Sequence, residues 1–198
     1  NRLGANSLLS AIYGGMVAGP NALEYVKGLE VLAEDLPNDI YEKHEAEEQR
    51  KWDEILALDG TENAYVLHKE LGEWMTDNVT VVRYNDRLEE TDRKIQELLE
   101  RFNHISMTDT QLWSNQGAMF TRQLKNMLHL ARVITIGALK RNESRGAHYK
   151  PEFPERNDEE FLKTTMAKFN GYDAPIFHYE EVDTGLIPPR KRDYSAKA

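Results

Sequence analysis

The chain has 198 residues, of which 40% are hydrophobic and 30% are charged, so it is long enough to bury one core. Its formal net charge of -9 argues against nucleic-acid binding, because recognition of phosphates requires basic surfaces. It contains no Cys, which excludes disulfides, thiolate zinc sites and cysteine-ligated clusters within the chain, and no apolar run approaches the roughly 20 residues that a membrane span needs.

The first predicted element is a helix over residues 6–18. Asn6 and Ser7 are good N-cap residue types, and Gly19-Pro20 is a strong stop signal. Because the interior of this helix carries almost no charge, we expect it to be buried on most sides against a larger body. The sequence that follows, around YEKHEAEEQRKWDEILALDG, is acidic and amphipathic.

Three longer helices are predicted next, beginning near Glu62, near Asn85 and near Ser114. In each of them apolar residues recur at i, i+3 or i+4 and i+7, and the connections are short and polar. An antiparallel three-helix bundle is the simplest arrangement of such elements, so the predicted fold class is mainly α. Three large apolar side chains are expected in the core of the third helix: Met119, Phe120 and Met127.

The C-terminal part reads as an irregular arm with a short helix. Asn157 is predicted to cap a helix that continues to about Phe169, and the segment APIFHYEEVDTGLIPP reads as a single strand. A lone strand cannot satisfy its own backbone hydrogen bonds. Because the chain shows no other convincing strand, we expect this one to pair with a sheet outside the chain.

The loop at the start of the chain has a chemistry of its own. A Gly-containing loop that leads into a capped, apolar helix directs free N–H groups and a positive dipole end towards whatever precedes the helix, which favours anionic ligand atoms. Arg2 adds a planar, permanently charged group that suits a carboxylate or a phosphate. The residues alone leave two readings open: an anion site, or a well-capped helix with a surface arginine.

Two motifs are specific when they occur together in this order: NRLGANSLL at the start, and NESRGAHY followed by PERND near the end. With these motifs the chain resembles, over essentially its whole length, the flavoprotein subunit of succinate dehydrogenase and fumarate reductase, in its Bacillus-type form. The resemblance implies that residues 1–33 are a remnant of an FAD-binding domain. It also implies that residues 34–142 form the helical bundle and that residues 143–198 form an extension packing back towards the flavin domain.

The resemblance assigns roles to three residues. Arg2 matches the arginine that grips a carboxylate of the C4-dicarboxylate substrate, succinate or fumarate, beside the flavin. Ser7 and Leu8 match the positions whose backbone amides contact the FAD ring. No metal site is implied in this chain. The parent subunit implied by the resemblance transfers hydride between the dicarboxylate and FAD, and passes electrons to an iron–sulfur subunit.

The same resemblance covers only the last third of such a subunit, so we expect the chain to be a fragment that is inactive and binds no FAD by itself. Its implied partners are the iron–sulfur subunit and a membrane anchor subunit, which would place it in the cytoplasm, peripheral on the inner face of the cell membrane. Self-association of the fragment is a further expectation, because the apolar first helix lacks its cover.

Other candidate residues have plainer readings. The motif SRGAH (144–148) is read as packing the helical domain against the flavin domain rather than as catalytic. His44 and Glu48 lie one helical turn apart on an acidic, solvated face and are not read as a metal site. The remaining bundle histidines, namely His68, His104 and His129, are read as packing or surface residues. The basic ending RKRDYSAKA is read as a disordered end.

Two other functions stay open at the level of the sequence. Residues 61–142 look able to fold alone, which would suit an independent helical protein-interaction module. Within the enzyme class, an L-aspartate oxidase-like flavoprotein is a third reading, although NRLGANSLL together with PERNDEEFLKTTM speaks against it.

Overall fold

The structure, a computed structural model, describes residues 7–190 of the chain. These residues divide into two compact units: unit 1, with residues 7–70 and 98–127, and unit 2, with residues 71–97 and 128–190. The elements are α1 (Ser7–Lys27), a 3-10 helix (Ala33–Asp35), α2 (Asn38–Leu56), α3 (Ala64–Val79), α4 (Asn85–Phe102), α5 (Gln116–Lys140), α6 (Asp158–Phe161), β1 (Lys163–Lys168) and β2 (Ile176–Glu181).

Helix α1 is longer than the sequence predicts, because it continues through Pro20 to Lys27. A proline inside a helix removes one backbone hydrogen bond without forcing the chain out of the helical φ range. The Asn21 side-chain amide donates to the Val17 carbonyl oxygen at 2.8 Å, which adds a hydrogen bond in the same turn. The predicted stop at Gly19-Pro20 is therefore wrong.

Residues 7–190 leave α1 exposed. None of the residues of this helix is buried, and apolar side chains such as Leu8 (80% exposed) and Met16 (70% exposed) face open space. The expectation of a helix buried on most sides is thus not met by the described residues alone, which leave an uncovered apolar helix.

Helix α2 is held in unit 1 by few contacts. Its one buried residue is Ile55. Glu48 forms an ion pair with Arg122 of α5, and the guanidinium of Arg122 lies 4.7 Å from the ring centroid of Trp52. The carboxylate of Glu48 is also bound by Lys51, at 2.7 Å.

In unit 1 the first turns of α3 and α5 lie beside the end of α4. The rings of Tyr65 and Phe120 stack with centroids 4.3 Å apart. Arg101, near the end of α4, binds two carboxylates, Glu62 at 2.7 Å and Glu70 at 2.8 Å. The buried hydrophobic side chains of this unit are Ile55, Ala64, Leu67, Leu98, Leu99, Phe102, Ile105, Ala118 and Leu124.

In unit 2 the opposite ends of the same helices meet. Val79 near the end of α3, Leu88 in the first turn of α4 and Ala138 near the end of α5 form one buried cluster, with Met75 and Leu139 packed against it. Successive helices therefore alternate in direction, as the sequence predicts for an antiparallel bundle.

The predicted helical bundle is confirmed, with some corrections in detail. Helix α4 begins at the predicted position, whereas α3 and α5 each begin two residues later than expected. Met119 is 54% exposed and Met127 is 36% exposed, so neither belongs to the core. The sequence analysis interprets their apolar character as a sign of burial, but roughly half of the surface of a folded protein is apolar.

The C-terminal arm contains a second strand that the sequence analysis missed. The helix capped by Asn157 ends at Phe161, and β1 (Lys163–Lys168) pairs in antiparallel register with β2, with Met166 opposite His178. The strand formed by IFHYEE therefore has its partner within the chain, and the expectation of an external sheet is wrong. Phe177 of β2 packs against α5, where its ring lies 3.4 Å from the position that a Cβ would take at Gly137.

None of the helices that the structure describes combines the length and the apolar character that crossing a bilayer demands.

Candidate functional site

The predicted ligand-binding residues lie at the start of α1. Arg2 falls outside the described residues. Ser7 is the first residue of α1 and Leu8 is the second, and both are exposed. The structure thus places two of the three predicted residues in the first turn of an accessible helix.

This helix start suits an electron-rich ligand atom. The first N–H groups of any α-helix have no acceptor inside the helix, and the macrodipole adds a partial positive charge there. The first turn of α1 contains no acidic residue that would oppose such a ligand.

The SRGAH segment builds a different kind of site, a buried polar network in unit 2. Glu143 has 0% relative exposure, and its carboxylate accepts hydrogen bonds from Arg145 at 2.8 and 2.9 Å, from the Asn157 backbone amide at 3.0 Å, and from Arg141. Burial alone would raise the pKa of Glu143, but these donors outweigh it and hold the pKa below its usual value.

Arg141 and Arg145 carry this network to the neighbouring elements. Arg141, directly after α5, donates to the carbonyl oxygens of Phe161 at 2.9 Å and Lys163 at 2.6 Å, at the end of α6 and the start of β1. Arg145 also binds Asp158 at 2.7 Å. The end of α5 is thereby fastened to the start of the hairpin.

Lys150 is a fully buried lysine in the same unit. Its Nζ atom lies 2.6 Å from Asn85 Oδ1, 3.0 Å from the Leu139 carbonyl oxygen and 3.0 Å from Asn142 Oδ1. Three donors meet three acceptors at the end of α5 and the start of α4. Burial lowers the pKa of Lys150 to about 8, so the amine is mostly protonated at neutral pH.

His148 completes the network. It is 2% exposed, with Nδ1 2.6 Å from Arg83 Nη1 and Nε2 2.9 Å from the Arg141 carbonyl oxygen. Burial is the largest of the effects that lower its pKa below the usual value.

The network is suited to holding the fold together rather than to catalysis. Among the described residues, no buried side-chain nitrogen or oxygen lacks a hydrogen-bond partner. A general acid or base needs an accessible proton, whereas the polar groups of this network are hydrogen-bonded to one another. Sequence analysis identified SRGAH but missed Arg83, which lies 65 residues away from His148 and carries no local signal.

Unit 1 contains an open groove of about 770 Å³. It is lined by aromatic rings, among them Trp52, Tyr65 and Phe120, and by the amide side chains of Asn115, Gln116 and Gln123. This lining offers packing and hydrogen bonding, and it lacks the carboxylates and imidazoles of acid–base chemistry.

The single histidines of the bundle have ordinary surroundings. The ring of His68 meets Phe120 edge-on at 5.4 Å, and that of His129 meets Phe169 at 5.2 Å. Among residues 7–190 there is no group of three or more His, Asp or Glu side chains placed to hold a metal ion.

Known proteins with similar sequences cover the whole chain. It is 70% identical over 198 residues to the succinate dehydrogenase flavoprotein subunit of Bacillus subtilis, which corresponds to 100% of this chain and 34% of that protein. It is 34% identical over 201 residues to the fumarate reductase flavoprotein subunit of Helicobacter pylori, covering 28% of that protein. The chain thus spans about a third of the length of these relatives.

Solved structures give the same result for the fold. A mutant of Escherichia coli quinol fumarate reductase matches the whole chain with a TM-score of 0.86 and 30% identity, over 34% of the matched chain. A quinol–fumarate reductase solved with menaquinol matches 96% of the chain with a TM-score of 0.79 and 31% identity, over 33% of its own chain.

Together, the helical units, the hairpin and these matches define the class of protein: the helical part of a flavoprotein subunit. The chain belongs to the family described as fumarate reductase flavoprotein C-term, whose model matches residues 68–194.

Proposed function

We propose that the chain is the C-terminal part of the flavoprotein subunit of a succinate dehydrogenase or fumarate reductase, which interconverts succinate and fumarate. The observation that carries this proposal is the 70% identity over the entire chain to a succinate dehydrogenase flavoprotein subunit. The relatives reported above are succinate dehydrogenase and fumarate reductase subunits, which favours this parent over an aspartate oxidase.

In this proposal the start of α1 forms one wall of the flavin and substrate site. FAD, when bound, supplies the centre that accepts or donates hydride. The amides of Ser7 and Leu8 donate hydrogen bonds to the pyrimidine edge of the flavin, where a helix start stabilises negative charge. Arg2 binds a substrate carboxylate with its planar guanidinium and orients the dicarboxylate for transfer.

The exposed face of α1 supports the proposal. An apolar helix without a cover, as seen at Ile12 (62% exposed) and Met16, is expected at a cut edge of a larger domain. The remaining two thirds of the parent subunit supply that cover. An iron–sulfur subunit and a membrane anchor subunit complete the assembly and hold it at the cytoplasmic face of the membrane.

The role of Arg2 is tested in the intact flavoprotein with Arg2→Lys. A lysine keeps the charge but loses the two-pronged geometry, so kcat/KM for the dicarboxylate should fall at least about tenfold, the equivalent of one charge-assisted hydrogen bond. The melting temperature should stay unchanged. Arg93→Lys, at an exposed position on α4, is the matched control and should retain full activity. Normal turnover of Arg2→Lys would remove Arg2 from the site.

The backbone amides are tested separately at Ser7. Proline is tolerated at the first position of a helix but has no N–H group, so Ser7→Pro deletes the proposed flavin contact without breaking α1. Ser7→Ala keeps the amide and is the control. Weaker flavin retention or a shifted flavin potential in Ser7→Pro alone supports the contact, whereas equal behaviour of the two variants contradicts it.

A further inference from the structure

His148 holds a loop in unit 2 through both of its ring nitrogens. We call residues 143–153 the latch loop. Its His148 ring reaches Arg83, in the segment that follows α3, and the carbonyl oxygen of Arg141, directly after α5. The ring thus joins three separate parts of the unit while being almost completely excluded from solvent.

The partners of the ring fix its protonation state. A guanidinium has only donors, so Nδ1 of His148 must be the acceptor of the hydrogen bond from Arg83. A backbone carbonyl only accepts, so Nε2 must carry the proton that is donated to Arg141. The ring is therefore neutral. A second proton could bind only at Nδ1, which lies 2.6 Å from the Arg83 guanidinium.

The charged groups around the ring oppose that second proton. Arg83 faces it from the segment after α3, Arg141 from the end of α5, and Lys150 from the latch loop itself. The nearby carboxylates are engaged elsewhere. Glu143 is bound by Arg141 and Arg145, and Glu152 accepts a hydrogen bond from the Asn85 backbone amide. Burial, together with these three cations, outweighs the hydrogen bond to the Arg141 carbonyl and lowers the pKa of His148.

The latch loop is also held at the start of α4, where Lys150 Nζ donates to Asn85 Oδ1 at 2.6 Å and Glu152 accepts a hydrogen bond from the Asn85 amide. Two backbone hydrogen bonds join the loop to the segment after α3. The Arg83 amide donates to the Tyr149 carbonyl oxygen at 2.9 Å, and the Tyr149 amide donates to the Val81 carbonyl oxygen at 3.3 Å. Both bonds lie next to His148, so displacement of the ring strains them directly.

We propose that His148 is an acid-sensitive latch: the neutral ring holds the latch loop against the segment after α3, and protonation of Nδ1 releases it. The free energy needed to open the latch loop therefore falls as the pH drops below about 6.5, the ordinary pKa of histidine, because only the open loop accepts the second proton readily. This device is independent of the proposed enzymatic function.

Hydrogen–deuterium exchange of the full-length protein, followed by mass spectrometry, tests the latch. After correction for intrinsic rates, peptides covering residues 79–88 and 144–153 should keep their protection between pH 7.5 and 6.5 and lose up to about tenfold of it between pH 6.5 and 5.5, the limit for a single titrating group. A peptide covering residues 98–102, in unit 1, should keep its protection. Unchanged protection of all three peptides would overturn the proposal.

Two variants separate His148 from other titrating groups. His148→Gln cannot titrate, so its protection in residues 144–153 should be independent of pH over the same range. His178→Gln replaces an exposed histidine of the same unit and should keep the wild-type pH dependence. An unchanged pH dependence in His148→Gln contradicts the latch.

Exchange at the C2 hydrogen of each histidine gives a readout on the unmodified protein, even if His148→Gln does not fold. The ring of His148 should exchange slowly, and its titration midpoint should lie below 6.5, the ordinary pKa of histidine. A midpoint for His148 at or above that value would show that the guanidinium does not exclude the second proton, and would overturn the proposal.

Discussion

Gly60, in the connection before α3, lies directly against the backbone that follows α4. The Gly60 amide donates to the Ile105 carbonyl oxygen at 3.0 Å, and a Cβ at Gly60 would lie 2.0 Å from the backbone oxygen of His104. Backbone cannot swing aside as a flexible side chain can. The requirement for glycine here comes from close approach rather than from an unusual φ angle.

Gly60→Ala should therefore destabilise the protein by about 1–3 kcal/mol or more, the usual cost of forcing a group into a filled space. Gly72→Ala is the matched control, because no atom lies within 4 Å of a Cβ at that helical position. Alanine in a helix is favoured by about 0.5–1 kcal/mol over glycine, so the control should gain stability. Urea unfolding of both variants measures the difference; equal stabilities would contradict the close approach.

Lys150 shows how a buried charge can be required by the groups around it. Lys150→Met removes the donor to Asn85 Oδ1 and to the Leu139 carbonyl oxygen, whereas Asn142 Oδ1 keeps a hydrogen bond from Asn85 Nδ2 at 3.2 Å. Unsatisfied buried polar groups cost about 1–3 kcal/mol each, so a net loss of about 2–4 kcal/mol is expected after relaxation. Lys168→Met, at an exposed position of β1, should change the free energy of unfolding by less than about 0.5 kcal/mol.

The pH dependence of this loss has a definite sign. The pKa of Lys150 is about 8 in the folded protein and 10.5 without the protein's influence, so the unfolded chain binds more protons between these values. The stability conferred by Lys150 therefore rises with pH from about 8 to 10.5, and the deficit of Lys150→Met should widen over that range. A deficit that narrows with rising pH would contradict the burial of the protonated amine.

Sequence analysis succeeded where the signal was local and failed where it was distant. The caps and apolar spacing of α4 lie within one segment, and its start at Asn85 was predicted correctly. The contact of His148 with Arg83 and that of Lys150 with Asn85 each join residues 65 positions apart, and no local pattern announces them.

At the scale of elements, the hairpin and α1 show opposite errors. The strand Lys163–Lys168 was read as helix because Asn157 is a good cap and the following residues are polar, yet antiparallel pairing with β2 overrides that weak preference. For α1, the sequence predicts an end at Gly19-Pro20, whereas the helix continues to Lys27. In both places the local signal correctly predicts a helix but not its length. The helix capped by Asn157 is shorter than predicted, and α1 is longer.

The exposed face of α1 predicts self-association of the isolated chain. Ile12, Met16 and Leu23 lie within about 40° of one another around the helix, and all three are exposed. The triple variant Ile12→Gln, Met16→Gln and Leu23→Gln should sediment as a monomer of 22.9 kDa, whereas the wild-type chain should gain mass with concentration.

The control for α1 replaces two other exposed apolar residues, Leu186 and Ile187, with Gln. These residues are highly exposed but lie outside the helical face, so the double variant should associate as the wild type does. A monomeric wild-type chain at all concentrations, or loss of association in the control, would show that α1 is not the associating surface.

At the scale of the whole molecule, the chain spans about a third of the length of its relatives and has a packed helical bundle. One helix start and one arginine cannot enclose a dinucleotide, since small-molecule sites bury most of the ligand surface.

The most direct test compares the 198-residue chain with the intact flavoprotein in one assay, flavin absorbance together with succinate-dependent reduction of a dye. The intact protein should be yellow and reduce the dye, and the chain alone should be colourless and inactive. A yellow, dye-reducing chain, or an intact protein that binds flavin but turns over neither succinate nor fumarate, would contradict the account.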